Sequence, residues 1–243
     1  MRIALISDIH GNQVALEAVL ADIDLYEVGE IVCLGDIIGY GSDAAECLEL
    51  VRYRCSKILM GNHEVFTIFP INPRDLGGAA GRGIEHAREV LSEEQLDWIA
   101  RRPMTEEVAG ATLVHASLND PGEFYHVLKL RHAKKHFQHQ DAPLCFNGHT
   151  HNPIIFEKGE NWIESCKPPD GFISLNPRSK YLINVGSVGQ PRDDNPSACY
   201  VIFDIEKYAV SFERVEYDVR KAQKRFEDAK MHPSVIKRIA RGH

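Results

Sequence analysis

Four consecutive residues, Gly61-Asn62-His63-Glu64, set a carboxamide, an imidazole and a carboxylate side by side. Asn is a neutral oxygen donor and is seldom a ligand alone. Beside a His, it points to a site shared by metal and phosphate. Similar groups recur along the chain. Asp8 and His10 flank Ile9, Asp36 follows Gly35, His115 follows Val114, and His149 and His151 flank Thr150. Taken singly, each has a plainer reading. Asp8 would cap a helix and Asp36 would make a turn. His10 or His115 would be a hydrogen-bonded core or surface histidine, and His149-Thr150-His151 a solvated loop. All of these would have to hold together for the chemical reading to fail.

The groups share a position relative to the elements that carry them. Residues 2–6, 30–34, 56–60, 111–114 and 144–146 are short apolar runs that read as buried strands, and each ends in one of these groups. Between the first three, Val14, Leu16, Val19, Leu20 and Ile23 are spaced for one helical face. A second helix is expected through Cys47, Leu48 and Val51, capped by Ser42 or Asp43. This β-α-β-α-β order predicts a parallel sheet with right-handed crossovers. Ligands of open α/β sheets gather beyond the carboxyl ends of strands. If extended, Asp8-x-His10 and His149-x-His151 would each turn both members to one side.

Residues 65–76, with Pro70 and Pro73, read as a loop carrying Phe66 and Phe69. Helices are expected over 78–90 and 92–101, the second opened by a Ser92-Gln95 capping box. A short basic helix follows over 129–138. Strands are then expected over 153–157, 181–185, 198–204 and 209–217, and a charged helical segment over 219–240. No repeat, low-complexity segment or linker interrupts the chain, which favours one domain over 1–243.

The length of 243 residues suffices for a substantial core without staples. A net charge of -7 argues against a general nucleic-acid binder but leaves a nucleotide substrate open, because bound metals reverse the local field. None of the six cysteines forms a C-x-x-C pair, so a thiolate zinc site is not expected. Cys33 and Cys145 fall in strand-like runs and read as small hydrophobes. The start lacks a signal-peptide apolar region and no run is long enough to span a membrane. These features point to a reduced, cytoplasmic protein without a membrane partner.

The ligand set is oxygen and imidazole without thiolate, which suits Mn, Fe, Co, Ni or Zn and does not choose among them. Seven groups are too many for one tetrahedral ion and suit two. One carboxylate must then bridge a pair roughly 3.5–4 Å apart, a geometry that activates water and clamps a phosphoryl oxygen.

Asp8-x-His10, Gly35-Asp36, Gly61-Asn62-His63-Glu64, the strand-end His115 and Gly148-His149-x-His151 together resemble the calcineurin-like metallophosphoesterase superfamily. The likeness spans about residues 1–205. It is closest to the small bacterial and archaeal phosphodiesterases, whose late Gly-Ser-Val-Gly-Gln-Pro-Arg segment is matched by Gly186 to Arg192. The resemblance implies an α/β fold of two mixed β-sheets packed as a sandwich and flanked by helices. It implies Asp8, His10 and His151 on one divalent ion, Asn62, His115 and His149 on the other, and Asp36 as the bridge. It gives His63 the role of general acid at the leaving oxygen, with Asp36 a candidate to orient that ring. Attack would be in line, by water activated between the ions, without a covalent intermediate. Ala116-Ser117 departs mildly from the pattern after the strand-end His and removes no ligand.

Arg192 is a candidate phosphate clamp because its planar fork suits bidentate recognition; its plainer reading is an ion pair with Asp193 or Asp194. Asn12 and Tyr40 are candidate substrate contacts, against turn geometry and packing. Phe66, Phe69, Phe124 and Tyr125 would either stack on a substrate ring or fill the core. His86, His126, His132, His136, His139, His232 and His243 match no motif, and 131–136 reads as a solvated basic face. The expected activity is hydrolysis of a small phosphodiester, nucleotides included. Phosphomonoester or dinucleoside polyphosphate hydrolysis is the second reading. A non-catalytic scaffold, as in the retromer subunit that resembles this family, is the third; that subunit departs at the catalytic histidine, which is present here as His63.

Overall fold

The computed structural model describes residues 1–169 and 171–243. The chain opens with β1 (Arg2–Ile6), α1 (Gln13–Ile23), β2 (Val28–Cys33), α2 (Ala44–Arg54) and β3 (Lys57–Ile58). Three helices follow: α3 (Asn62–Ile68), α4 (Gly78–Val90) and α5 (Glu93–Ala100). Then come β4 (Thr105–Val108), β5 (Ala111–Val114), α6 (Leu130–His136) and β6 (Leu144–Asn147). The second half holds β7 (Ile154–Lys158), β8 (Ile163–Cys166), β9 (Phe172–Ser174), β10 (Lys180–Asn184), β11 (Ala198–Asp204) and β12 (Ala209–Val215). The chain closes with α7 (Val219–Asp228) and α8 (Pro233–Arg238).

Two six-stranded mixed sheets result, ordered β3-β2-β1-β11-β12-β9 and β4-β5-β6-β10-β7-β8. β1, β2 and β3 pair in parallel, as do β5, β6 and β10. Period-two alternation explains the sandwich. Ile3 and Leu5 of β1 enter a core shared with Phe146 and Ile183 of the other sheet. Ala4 and Ile6 face the other way, against Leu16 and Val19 of α1 and Leu48 and Val51 of α2. Strands buried on both faces read as continuous apolar runs, which is why they were visible in the sequence.

Three expectations need correction. Residues 65–76 are not all loop, because α3 begins at Asn62 and runs to Ile68. The Glu64 side chain accepts the Gly61 N–H at 2.8 Å and caps that helix from within. The segment 219–240 is two helices, α7 and α8, since Pro233 sits at the first position of α8, where its missing N–H costs nothing. The strands β4, β8 and β9 were not expected; β8 and β9 are mostly exposed, hence they lack the apolar run. The Ser92-Gln95 capping box is present, with bonds of 3.0 and 3.2 Å.

The six cysteines are free thiols, with Cys33 and Cys145 buried. No helix among the described residues is long and apolar enough to cross a membrane.

Candidate metal centre

The loops that follow β1, β2, β5 and β6 meet at one place with the start of α3. Asp8, His10 and His151 form one buried cluster, and Asp36, His115 and His149 another. A third grouping joins His10, Asp36 and His63. Asp36 therefore lies between the two halves, with Oδ2 3.7 Å from His10 Nε2 and 3.4 Å from His115 Nε2. Asn62 Oδ1 stands 3.3 Å from the same His115 nitrogen. All seven residues expected as ligands are buried and converge.

The route to this arrangement differs from extended alternation. Asp8, His10, Asp36, His149 and His151 all have φ between 51° and 65°, the left-handed region. Such a conformation costs a non-glycine residue about 1–3 kcal/mol and gathers at functional sites. Backbone bonds enforce it: Asp8 N–H donates to Gly35 O at 3.1 Å and His10 N–H to Asp36 O at 3.0 Å. The loops after β1 and β2 thus lock one another. His149 and His151 do not act as a pair; they enter different clusters.

Ring orientation tests whether cations fit. His10 Nδ1 lies 3.2 Å from Ile38 O, His115 Nδ1 2.9 Å from Leu34 O, and His151 Nδ1 2.6 Å from Gln190 O. A backbone carbonyl can only accept, so each neutral ring carries its proton on Nδ1 and turns the Nε2 lone pair inward. His10 Nε2 and His151 Nε2 then face each other at 3.0 Å, beside Asp8 Oδ1 at 3.3 Å from His151. Facing lone pairs beside a carboxylate repel unless a positive charge sits among them. Asp8 Oδ1 and His149 Nε2 are buried without a hydrogen-bond partner among the described residues. Carbonyl-oriented imidazoles are the usual outer shell of a metal site. The donor set, with no sulfur, fits divalent transition metals.

The electrostatics agree. Burial raises the Asp36 carboxyl, but His115, His63 and His10 outweigh it and hold the group well below its usual range. Burial lowers His115, yet the Asp36 charge and hydrogen bond dominate and lift it to about 9. The cluster favours positive charge at this point, and a metal ion would take it by displacing that proton. Burial pushes His10 and His151 well down, keeping their lone pairs available.

His63 is the second residue of α3 and packs its ring against Tyr40 and His10, with centroids 4.6 and 4.7 Å away. Asp36 does not bond that ring; Oδ1 accepts the main-chain N–H of His63 at 2.9 Å. The expectation that Asp36 orients the imidazole is thus corrected: it fixes the start of α3. Gly39, at φ +85°, lies against the ring, and a Cβ there would run into His63 Nδ1.

Arg192 pairs with neither Asp193 nor Asp194. It donates to Gln190 Oε1 at 2.9 Å and lies 5.8 Å from the Tyr40 ring centre. Asp193 is taken by Arg214, and Asp194 lies 3.1 Å from His243. Tyr40, half-buried at φ 56°, covers His10 and His63 and faces the site. Asn12 is corrected: Oδ1 accepts the Ala15 N–H and caps α1, while Nδ2 donates to Gly189 O and the Tyr217 hydroxyl, so both ends of this buried side chain are engaged inside the fold. Phe124 is buried against His115, whereas Phe69 and Tyr125 are exposed.

Two residues at the site carried no expectation. The His126 ring lies 4.2 Å from that of His149, at the mouth of the site. It sits in a loop without a motif, and nothing in the sequence signals it. Glu64 is fully buried and accepts four backbone N–H groups, from Gly61, Asp36 and Ile37 at 2.8 Å and from Ile38 at 3.3 Å. Burial and the Asp36 charge push its carboxyl up, to about 7, against the pull of those donors. His136 was read as part of a solvated face, but it is buried, and its Nδ1 accepts the Leu118 N–H at 3.1 Å. Burial lowers it to about 4, so it stays neutral and ties α6 to the loop after His115.

Glu64→Gln should unfold at lower denaturant. An amide keeps one acceptor and turns an NH2 toward buried N–H donors, leaving at least one unsatisfied. The expected loss is about 3 kcal/mol in a urea titration. A midpoint equal to wild type would show that these donors find other partners.

A two-sheet sandwich that gathers such clusters beyond its strand ends is the architecture of the metallophosphoesterases. The chain belongs to the calcineurin-like phosphoesterase superfamily, whose domain profile matches residues 1–208. A metallophosphoesterase from Sphaerobacter thermophilus is 35% identical, with a TM-score of 0.87 over 100% of this chain and 99% of that one. An uncharacterized protein from Methanocaldococcus jannaschii is 36% identical over 224 residues, 90% of this chain and 89% of its own. A hypothetical protein from Pyrococcus horikoshii OT3 shares the fold at 18% identity, with a TM-score of 0.81 over 100% and 98% of the two chains.

Proposed function

We propose that this protein hydrolyses small phosphodiesters at a centre of two divalent transition-metal ions. The observation that carries the reading is the sharing of Asp36 between two clusters whose imidazole lone pairs are fixed inward. Asp8, His10 and His151 would hold one ion, Asn62, His115 and His149 the other, and Asp36 both. Bound there, the ions supply charge to the phosphoryl oxygens and activate water near neutral pH.

The chain's own residues do the rest. His63 hydrogen-bonds the phosphoryl group and delivers a proton to the departing oxygen. Gly39 and Tyr40 keep its ring in place. The Arg192 guanidinium, held by Gln190, binds a non-bridging phosphate oxygen through its open donors. Tyr40 shields the pocket over His10 and His63. The intact His63 speaks against a scaffold role. The reading extends to a single domain, a cytoplasmic protein, a small-molecule substrate, and neither nucleic-acid nor membrane partners.

Manganese-reconstituted and metal-stripped protein should be compared on bis(p-nitrophenyl) phosphate, p-nitrophenyl phosphate and phosphoserine peptides. The expected result is metal-dependent cleavage of the diester without a phosphorylated enzyme. Trapping a phosphorylated residue would contradict direct attack by water. Preference for the peptides would make the protein a monoesterase. No turnover with metal bound would restore the scaffold reading.

A further inference from the structure

We propose that the cavity on the outer side of Arg192 is the leaving-group subsite, and that it takes an organic group bearing its own phosphate. The inference rests on the phosphodiesterase reading of the adjoining centre and names its substrate class. The cavity measures about 390 Å³, within the range of small-ligand pockets. It adjoins the metal centre directly. Asn152 on its wall follows His151, and the Arg192 N–H donates to His151 O at 3.2 Å. Arg192 thus stands between the two spaces, close enough to Tyr40 to reach a phosphoryl group and lining the cavity as well.

The lining has two parts. Leu128 and Ile154 offer apolar surface for the body of a ligand. The charged residues do not cancel evenly. Arg214 is neutralised by Asp193, while the Asp194 carboxylate, exposed beside His243, keeps its negative charge on the wall. That leaves Arg192 and Lys167 without a carboxylate partner among the described residues, and Arg192 Nε is buried with no acceptor. In a chain of net charge -7, a cavity lined by three cations and two carboxylates keeps one net positive charge, and the two cations that lack a carboxylate partner favour an anion. A diester's own phosphoryl group engages Arg192 from the metal side. Lys167 is left for a second phosphate, carried by the leaving group.

The test uses the manganese-loaded full chain and calorimetry, with adenosine 3′,5′-bisphosphate and AMP as probes. The bisphosphate should bind about tenfold more tightly, as one added charge-assisted contact provides. In Lys167→Met, whose side chain is exposed and outside the core, the ratio should fall to within about twofold. Equal affinities in the wild type, or a ratio that survives Lys167→Met, would overturn the subsite. A turnover arm compares a 5′-phosphorylated diadenylate with its unphosphorylated form, and the phosphorylated one should have the lower KM. If neither is cleaved while the calorimetric ratio holds, the phosphodiesterase reading fails and the anion subsite stands.

Discussion

His63→Gln should lower turnover of an alkyl phosphodiester by about 10²–10⁴-fold, the range for loss of a positioned general acid. Its metal content should stay near that of the wild type. The geometry separates the two effects. Asn62 Oδ1 points at the His115 nitrogen that faces Asp36, whereas the His63 ring lies between Tyr40 and His10. Burial lowers the His63 imidazole, and the Asp36 charge opposes this. A bound phosphate anion adds to that opposition and favours the protonated ring. The loss should shrink for a nitrophenolate leaving group, which departs with little protonation. His63 also groups with His10 and Asp36, close enough for the three to share one ion. Elemental analysis decides: a variant that loses an ion makes His63 a ligand, and one that keeps full alkyl-diester turnover removes it as the acid.

Much of the site was legible because each ligand ends an apolar run, and a run buried on both faces leaves a strong signal in the sequence. What could not be read was how the loops hold their ligands. Left-handed φ at Asp8, His10, Asp36, His149 and His151 depends on cross-loop bonds such as His10 N–H to Asp36 O. No local propensity encodes those bonds. Asn12 was misassigned for a related reason. An Asn next to a ligand reads equally as a cap or a contact, and only the Ala15, Gly189 and Tyr217 partners decide it. The α3 helix was missed because its cap is the Glu64 side chain, which also belongs to the motif. His126 reaches His149 through loop placement alone. The exposed strands β8 and β9 carry too little apolar patterning to be seen.

Asp36 should have the broadest effect of any single position. Its Oδ2 faces both His10 and His115, and its Oδ1 anchors the start of α3 through the His63 N–H. Asp36→Ala removes both functions; Asp36→Asn keeps an acceptor for that N–H and removes the charge. Both should lose more than one equivalent of metal by elemental analysis, because a carboxylate shared by two ions contributes to each. The fall in metal affinity should exceed the roughly 10–100-fold typical of an outer-shell change. Without Asp36, only the charges of Asp8 and Glu64 still oppose the burial that lowers His115, so that ring should give up its proton at lower pH, a change visible in its NMR titration. Asp36→Asn separates anchoring from charge. If it binds metal like the wild type while Asp36→Ala does not, Asp36 acts by placing α3 and not as a bridge. Loss of a single ion in both would put Asp36 on one metal, and the shared carboxylate would have to be sought elsewhere in the cluster.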